Sequence, residues 1–322
     1  MESQPFLPVK TSFRIAFALA ALFFVRLAAE QAGADQPHSS NLTDRLAPLS
    51  FSKNPQLDMV VVTDKTAESA NLVRPTPDQP AYYIAFDGGY RESGDPVANQ
   101  NPPAAAEVAR ALRQTLAIEG YRPAADQTPP TLLLIYHWGA LNRDSMAIRS
   151  GMDLDPNLKA RVSLVAGRRY ERQIDDEIVQ RQISRDLHTN FPPPLLLSDQ
   201  ARELRELAQG DRYFVIVSAY DYAALRRHEA RLLWRTKMSA SDAGVAMAAA
   251  LPALIQGGGP YFGNDADEPQ FVRTPLGSGG KIQPVSPAAT QSPAAASAVG
   301  QLDEPFVRDL AAKTGAEVTG TR

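Results

Sequence analysis

"YFVIVSAYDY", residues 213–222, and "ARLLWRTKM", residues 230–238, together decide how this chain folds. The first is an almost unbroken β-branched and aromatic run, too short for a membrane span and suited to a buried strand. The second alternates. Arg231, Leu233, Arg235 and Lys237 fall on one face, and Ala230, Leu232, Trp234, Thr236 and Met238 on the other. Period-two alternation of this kind belongs to an antiparallel strand with one face on the core and one in water. The pair therefore predicts an antiparallel hairpin.

Downstream, "SASDAGVAMAAALPALIQ" predicts a helix with Ser239 or Ser241 as N-cap and Met247, Leu251 and Leu254 on its apolar face. Pro252 lies within it and should kink it or end its regular part. The glycine run Gly257–Gly259 follows this helix. A phosphate-cradling loop instead precedes a helix, where free N–H groups and the positive dipole end meet the anion. The glycines therefore read as a helix stop and turn, with Pro260, Tyr261 and Phe262 folding back as an aromatic plug.

Upstream, "MVVVT" (59–63) predicts a strand buried on both faces. "AYYIAFDGGY" (81–90) predicts a second strand, closed by Asp87, Gly88 and Gly89 as turn residues. In "NPPAAAEVARALRQTLAIEGY", Val108, Leu112, Thr115 and Leu116 form a helical stripe, Pro102 and Pro103 suit the first turn, and Gly120 the C-terminal cap. "TLLLIYHWG" (131–139) predicts a strand that ends at His137 and Trp138. Residues 140–212 break the pattern. They are dense in charge, hold two predicted helices ("ERQIDDEIVQRQISRDL" and "LSDQARELRELAQ"), and read as a helical insertion packed on the sheet.

The N-terminus reads as a secretory signal over residues 1–34. Lys10 and Arg14 precede the apolar run Ile15–Val25, and Ala32 and Ala34 supply the small residues that a signal peptidase needs. Arg26 cuts the run short of the roughly 20 residues of a span. An uncleaved membrane anchor is the alternative. Export implies a periplasmic or extracellular location, with no stable membrane span after cleavage. Residues 35–50 are a polar linker, and the α+β domain is expected over 51–264. Beyond it, residues 265–322 read as a disordered tail rich in Pro, Ala, Ser and Gly. A short helix over 303–313, with Asp303 as cap and Phe306, Val307 and Leu310 as its apolar patch, is expected to dock, to bind a partner or to stay loose.

Composition removes several classes of function. The chain has 322 residues and no cysteine, so it has no disulfide framework, thiol nucleophile or Cys-based zinc site. A net charge of −3 argues against a general nucleic-acid binder. "GSGGK" (277–281) has Pro275 where a nucleotide-binding loop needs glycine, and Ile282 where it needs Ser or Thr. "DLDPN" (153–157) opens like a calcium loop, but Leu158 and Leu164 stand where glycine and glutamate are required. "HEARL" at His228 lacks the second histidine of a zinc-protease motif, and His38, His137, His188 and His228 share no ligand spacing. No cofactor or metal is expected. The residues left as catalytic candidates are Asp221, His137 and Asp87, each placed near a strand end where a reacting group could sit.

Residues 105–136 ("AAEVARALRQTLAIEGYRPAADQTPPTLLLIY") and 229–255 ("EARLLWRTKMSASDAGVAMAAALPALI") resemble the DUF4136-like exported bacterial proteins of unknown function, in which a "lvWr" strand precedes a short C-terminal helix. Pro129, Pro130 and Thr131 stand where that pattern usually has Pro-Asp. The resemblance covers about half of the domain and omits 140–212. It implies an α+β fold and an envelope location, and supplies no catalytic residues. The expected fold is α+β, a mainly antiparallel sheet with helices packed on one face and a helical insertion. The expected function is that of an exported non-enzymatic envelope protein, an interaction or assembly module that meets an envelope partner through 140–212 or the C-terminal segment. The rival is a hydrolase of envelope polymers using strand-end carboxylates.

Overall fold

The computed structural model describes residues 55–69, 72–97, 100–145, 149, 155, 157–186, 197–264, 266–277 and 302–319. The expected signal, the polar linker and most of the "GSGGK" stretch lie outside them.

The fold is α+β, built on a seven-stranded and mainly antiparallel sheet. Its strands are β1 (Gln56–Lys65), β2 (Ala81–Ser93), β3 (Tyr121–Pro123), β4 (Leu132–Leu141), β5 (Arg212–Asp221), β6 (Leu232–Ser241) and β7 (Ala266–Pro275), in the order β3-β2-β4-β5-β6-β1-β7. Only β2 pairs in parallel, with β3 and β4. Its return connection is the helix α1 (Ala105–Ile118), as a parallel neighbour requires. The helices α2 (Leu158–Val165), α3 (Arg168–Asp186) and α4 (Asp199–Leu207) lie between β4 and β5, and the four-residue α5 (Tyr222–Leu225) links β5 to β6. α6 (Met247–Gly258) and α7 (Glu304–Thr319) complete the order. Among the described residues no helix is long and apolar enough to cross a membrane.

The sheet has two covered faces. On the first, α1 sets Val108, Leu112, Thr115 and Leu116, and α6 sets Met247, Leu251 and Leu254, against Met59, Val61, Leu134, Tyr136, Val215 and Met238. On the second, the insertion helices α2–α4 cover Val60, Val62, Phe214 and Ile216. Next to them, α7 covers Ile84, Leu133 and Ile135. The alternation of β1 shows the division directly, because Val60 and Val62 belong to one core and Met59 and Val61 to the other.

The hairpin pairs in antiparallel register, with Val215 opposite Met238 and Val217 opposite Thr236. Its basic face, however, is not in water. Lys237 is buried and Arg235 half-buried, because the insertion and α7 lie over them. A bulge also places both Leu233 and Trp234 in the first core and turns Leu232 toward the second, so strict alternation fails at one residue. β6 runs on to Ser241, which removes Ser239 and Ser241 as helix caps. Ser239 is buried in the strand and accepts from Arg212 Nε at 3.2 Å, while α6 begins after Ala246 without a side-chain cap.

Of the two glycine-rich stretches, one departs from its expected form and one keeps it. β2 does not close at Asp87. The chain bulges there, with Asp87 opposite Tyr136 and Tyr90 opposite Trp138, and continues to Ser93. Gly89 takes a left-handed φ of 87°, and the Asp87 carboxylate accepts from its N–H at 2.8 Å. The run Gly257–Gly259 does end α6, and close approach explains its composition. A Cβ on Gly257 would lie 2.2 Å from Thr274 Oγ1, and one on Gly258 would lie 2.1 Å from Met238 Sδ. The helix end thus presses on β7 and β6, and Phe262 beyond it is buried and stacked on Trp234 at 6.0 Å.

The expected boundary at residue 264 is corrected. Residues 266–275 form β7, hydrogen-bonded to β1 along its length, and residues 304–319 form α7, docked on the sheet. Composition hid both. The β7 segment carries two prolines and three charged residues, a pattern that suits an edge strand as well as a loop.

Candidate functional site

The three candidate residues are each held by local structure, and the fold keeps them apart. Asp221 ends β5 and caps α5, accepting from the backbone N–H groups of Ala223 at 2.9 Å and Ala224 at 3.3 Å. Arg231 lies 3.5 Å from its other oxygen. Asp87 is spent on its own bulge, and its carboxylate also faces Tyr136 on the first face of the sheet, where burial and that negative charge push the phenol up. His137 lies mid-strand, not at a strand end, fully buried on the second face beneath α7. Asp87 and His137 therefore sit on opposite faces. Asp221 pairs with Leu132, five residues along β4 from His137 (137 − 132), or roughly 16 Å of strand.

Asp221 does line a concavity. A cleft of about 330 Å³ lies at that end of the sheet, bordered by Lys65, Glu68, Arg74, Asp221 and Arg231 over Leu233 and Trp234. It gathers two carboxylates, the arrangement that the hydrolase reading requires. Glu68 is held below the usual carboxylate range by hydrogen bonds from backbone and from Thr66, and Asp221 is matched by Arg231. A general acid needs a carboxyl raised toward neutrality, in an apolar surrounding or beside another unpaired anion. The cleft instead presents three cations, Lys65, Arg74 and Arg231.

The second polar region was not found from sequence. Under the C-terminal half of α7 the sheet floor carries Arg91 from β2, His137 from β4, Ser218 and Tyr220 from β5, and Arg235 and Lys237 from β6. His137 Nε2 lies 3.0 Å from the Ala311 carbonyl, which can only accept, so Nε2 carries the proton. Nδ1 is then an unprotonated nitrogen, buried without a hydrogen-bond partner. Burial, followed by the Arg91 and Arg235 charges, pushes the imidazole down to about 4, against the opposing pull of that carbonyl. Tyr220 and Thr314 share a hydroxyl hydrogen bond of 2.9 Å. Arg235 donates to Ser218 at 3.0 Å and to Glu317 of α7 at 3.0 Å. Lys237 pairs with Asp64 at 3.0 Å. The basic residues of β6 were legible as a row. What they face comes from a helix some 80 residues later and could not be read.

The motif remnants have structural roles. Asp155, from the calcium-like stretch, pairs with the buried Arg161, which also donates to the carbonyls of Ala208 at 2.7 Å and Asn142 at 2.9 Å. That cation ties Asp155, α2 and the C-terminal end of α4 to Asn142, just past β4. His228 has a left-handed φ of 61° and reaches Asp303 at 3.2 Å at the start of α7. Among the described residues no group of three or more His, Asp or Glu side chains could hold a metal ion.

No family model matches the chain, and no curated protein matches it. Among solved structures, a PDZ domain protein from Parabacteroides distasonis is similar at a TM-score of 0.34 and 9% identity, over 73% of this chain and 42% of that one. The chain thus spans less than half the length of that protein, and a likeness at this level assigns it no function.

Proposed function

We propose that the chain is an exported, non-enzymatic protein of the bacterial envelope that works as an interaction or assembly module, in keeping with its resemblance to the DUF4136-like proteins. The signal-like run before Asp35 supports export. The observation that carries the non-enzymatic part is the use made of Asp87, His137 and Asp221. A bulge, a covering helix and a helix cap occupy them in turn, and no two of them face each other. Catalytic acid–base pairs need both groups within reach of one substrate bond and with their proton affinities driven apart.

Two measurements test the reading. Fractionation of cells expressing the full chain should recover it outside the cytoplasm, with its N-terminus at or near Asp35. Incubation of the purified protein with peptidoglycan or envelope polysaccharide should release no soluble fragments. Fragment release that disappears in Asp221→Asn would overturn the proposal and give the cleft to a hydrolase.

A further inference from the structure

Trp234, stacked on Phe262 in the first core, is also part of the floor of the cleft of about 330 Å³. That volume is in the range of small-molecule sites, which combine an apolar lining with a few polar groups of fixed direction. One wall of the cleft is apolar and open to solvent. Leu72 is 48% exposed there, and Val73, at 82%, is the most exposed large hydrophobic side chain among the described residues.

Most of the polar lining is already engaged. Asp221 is spent on the cap of α5 and on Arg231. Arg74 donates to Glu119 at 2.6 Å and to the Pro260 carbonyl at 3.2 Å, and Arg231 also reaches Glu229 at 3.4 Å. Glu68 is exposed at the rim, where water weakens its field. Two donors are left. Half-buried Lys65 stands opposite Trp234 in the β1–β6 register, so both side chains leave the same face of the sheet. Neither the Lys65 ammonium nor the Trp234 indole N–H meets an acceptor among the described residues. The indole is enclosed, yet its Nε1 lies beside the cleft wall at Gly263, where an added Cβ would be 3.1 Å from it and 2.9 Å from Tyr121 Oη. Gly263 has a left-handed φ of 68°, and with no side chain it leaves that polar edge uncovered. Tyr121 Oη already donates to the Phe262 carbonyl at 3.2 Å.

We propose that the cleft binds a small amphipathic carboxylate. Its head accepts from Lys65 and from Trp234 Nε1, and its apolar body lies between the Leu72–Val73 wall and Leu233. The groups without partners are both donors, which makes the ligand's head an acceptor, and Lys65 makes it an anion. A donor this enclosed gains from an acceptor that a ligand brings, because water reaches it poorly. An apolar body of about eight carbons suits a cleft of this size. The site needs neither export nor the proposed interaction role, so it can fail while that reading stands.

The experiment titrates the full chain by ligand-observed NMR. Octanoate should bind saturably, and roughly tenfold or more tightly than octan-1-ol or octylammonium, which share its chain. Equal affinity for the three would overturn the proposal and leave an unselective apolar patch. Preference for octylammonium would also overturn it, and would give the cleft to Glu68 and Asp221. Acetate, the same head without the body, should bind roughly tenfold or more weakly than octanoate. Lys65→Gln should weaken octanoate by about tenfold and leave octan-1-ol unchanged. Trp234→Phe keeps an aromatic ring in the core, removes the N–H, and should weaken octanoate by roughly threefold to tenfold. Octanoate should raise the Tm of the unmodified chain and not that of Lys65→Gln, in a melt that also reports whether each variant is folded. Folded variants that bind octanoate as the unmodified chain does would overturn the proposal.

Discussion

The two faces of the sheet are made by the same strands and held by different forces. Under α1 and α6 the strands present Leu134, Tyr136, Trp138, Val215, Val217 and Met238, and the contact is almost wholly apolar. Under α7 and α2 they present His137, Ser218, Tyr220, Arg235 and Lys237 beside a smaller apolar strip. Burial of the first kind is non-directional, and each large side chain contributes about 1.5–3 kcal/mol without a partner of fixed geometry. The second kind needs donors and acceptors to be met together, and a single loss leaves the remainder costly. The first face should therefore respond to volume, and the second to charge, pH and the presence of its covering helix.

The largest expected effect tests whether the chain beyond residue 264 belongs to this frame. Truncation after Asn264 removes β7, which pairs with β1, and α7, which covers His137. The truncated chain should lose its cooperative thermal transition. A melting temperature within a few degrees of the full chain would restore the boundary that composition suggested.

Trp234→Ala sharpens the apolar side. The indole is buried between Phe262 at 6.0 Å and Tyr121 at 6.1 Å, so its loss should destabilise by about 3–5 kcal/mol in urea denaturation. A loss below about 1 kcal/mol would mean that this core is loosely packed.

Acid should act on the polar side. His137 has a folded value pushed down to about 4, against about 6.5 when unfolded, so as pH falls the unfolded chain takes up its proton first. Stability present above pH 6.5 should decline until pH 4 and then level, a loss of about 3 kcal/mol from this group. Carboxylates titrate in the same range, so the quantity to measure is the difference between the unmodified chain and His137→Gln. Identical pH profiles would remove His137 as the sensor.

The smallest effect concerns Asp221, which belongs to neither interface. Asp221→Ala removes the cap of α5 and should cost about 1 kcal/mol in the same denaturation assay. A gain in stability would point to a residue retained for chemistry rather than for capping.

Much of the first face was legible along the chain. The stripe Val108, Leu112, Thr115, Leu116 and the run 59–63 announce a buried helix face and a buried strand, because period and β-branching are local properties. The same logic failed at Asp87-Gly88-Gly89, since glycines beside a carboxylate signal a turn and a bulge alike. It failed again at Arg235 and Lys237, where alternation marks two faces and cannot say which of them another segment will cover.

The sequence by itself therefore determined the α+β class, the hairpin, and the helices α1 and α6. Each depends on propensities and periods within about twenty residues. Only the tertiary structure decided that β7 joins β1, that α7 covers His137, and that Asp87, His137 and Asp221 stay apart. Those outcomes rest on pairings across some 80 to 215 residues. Such contacts are fixed when two distant surfaces match in shape and charge, and neither surface carries the other's pattern in its own sequence.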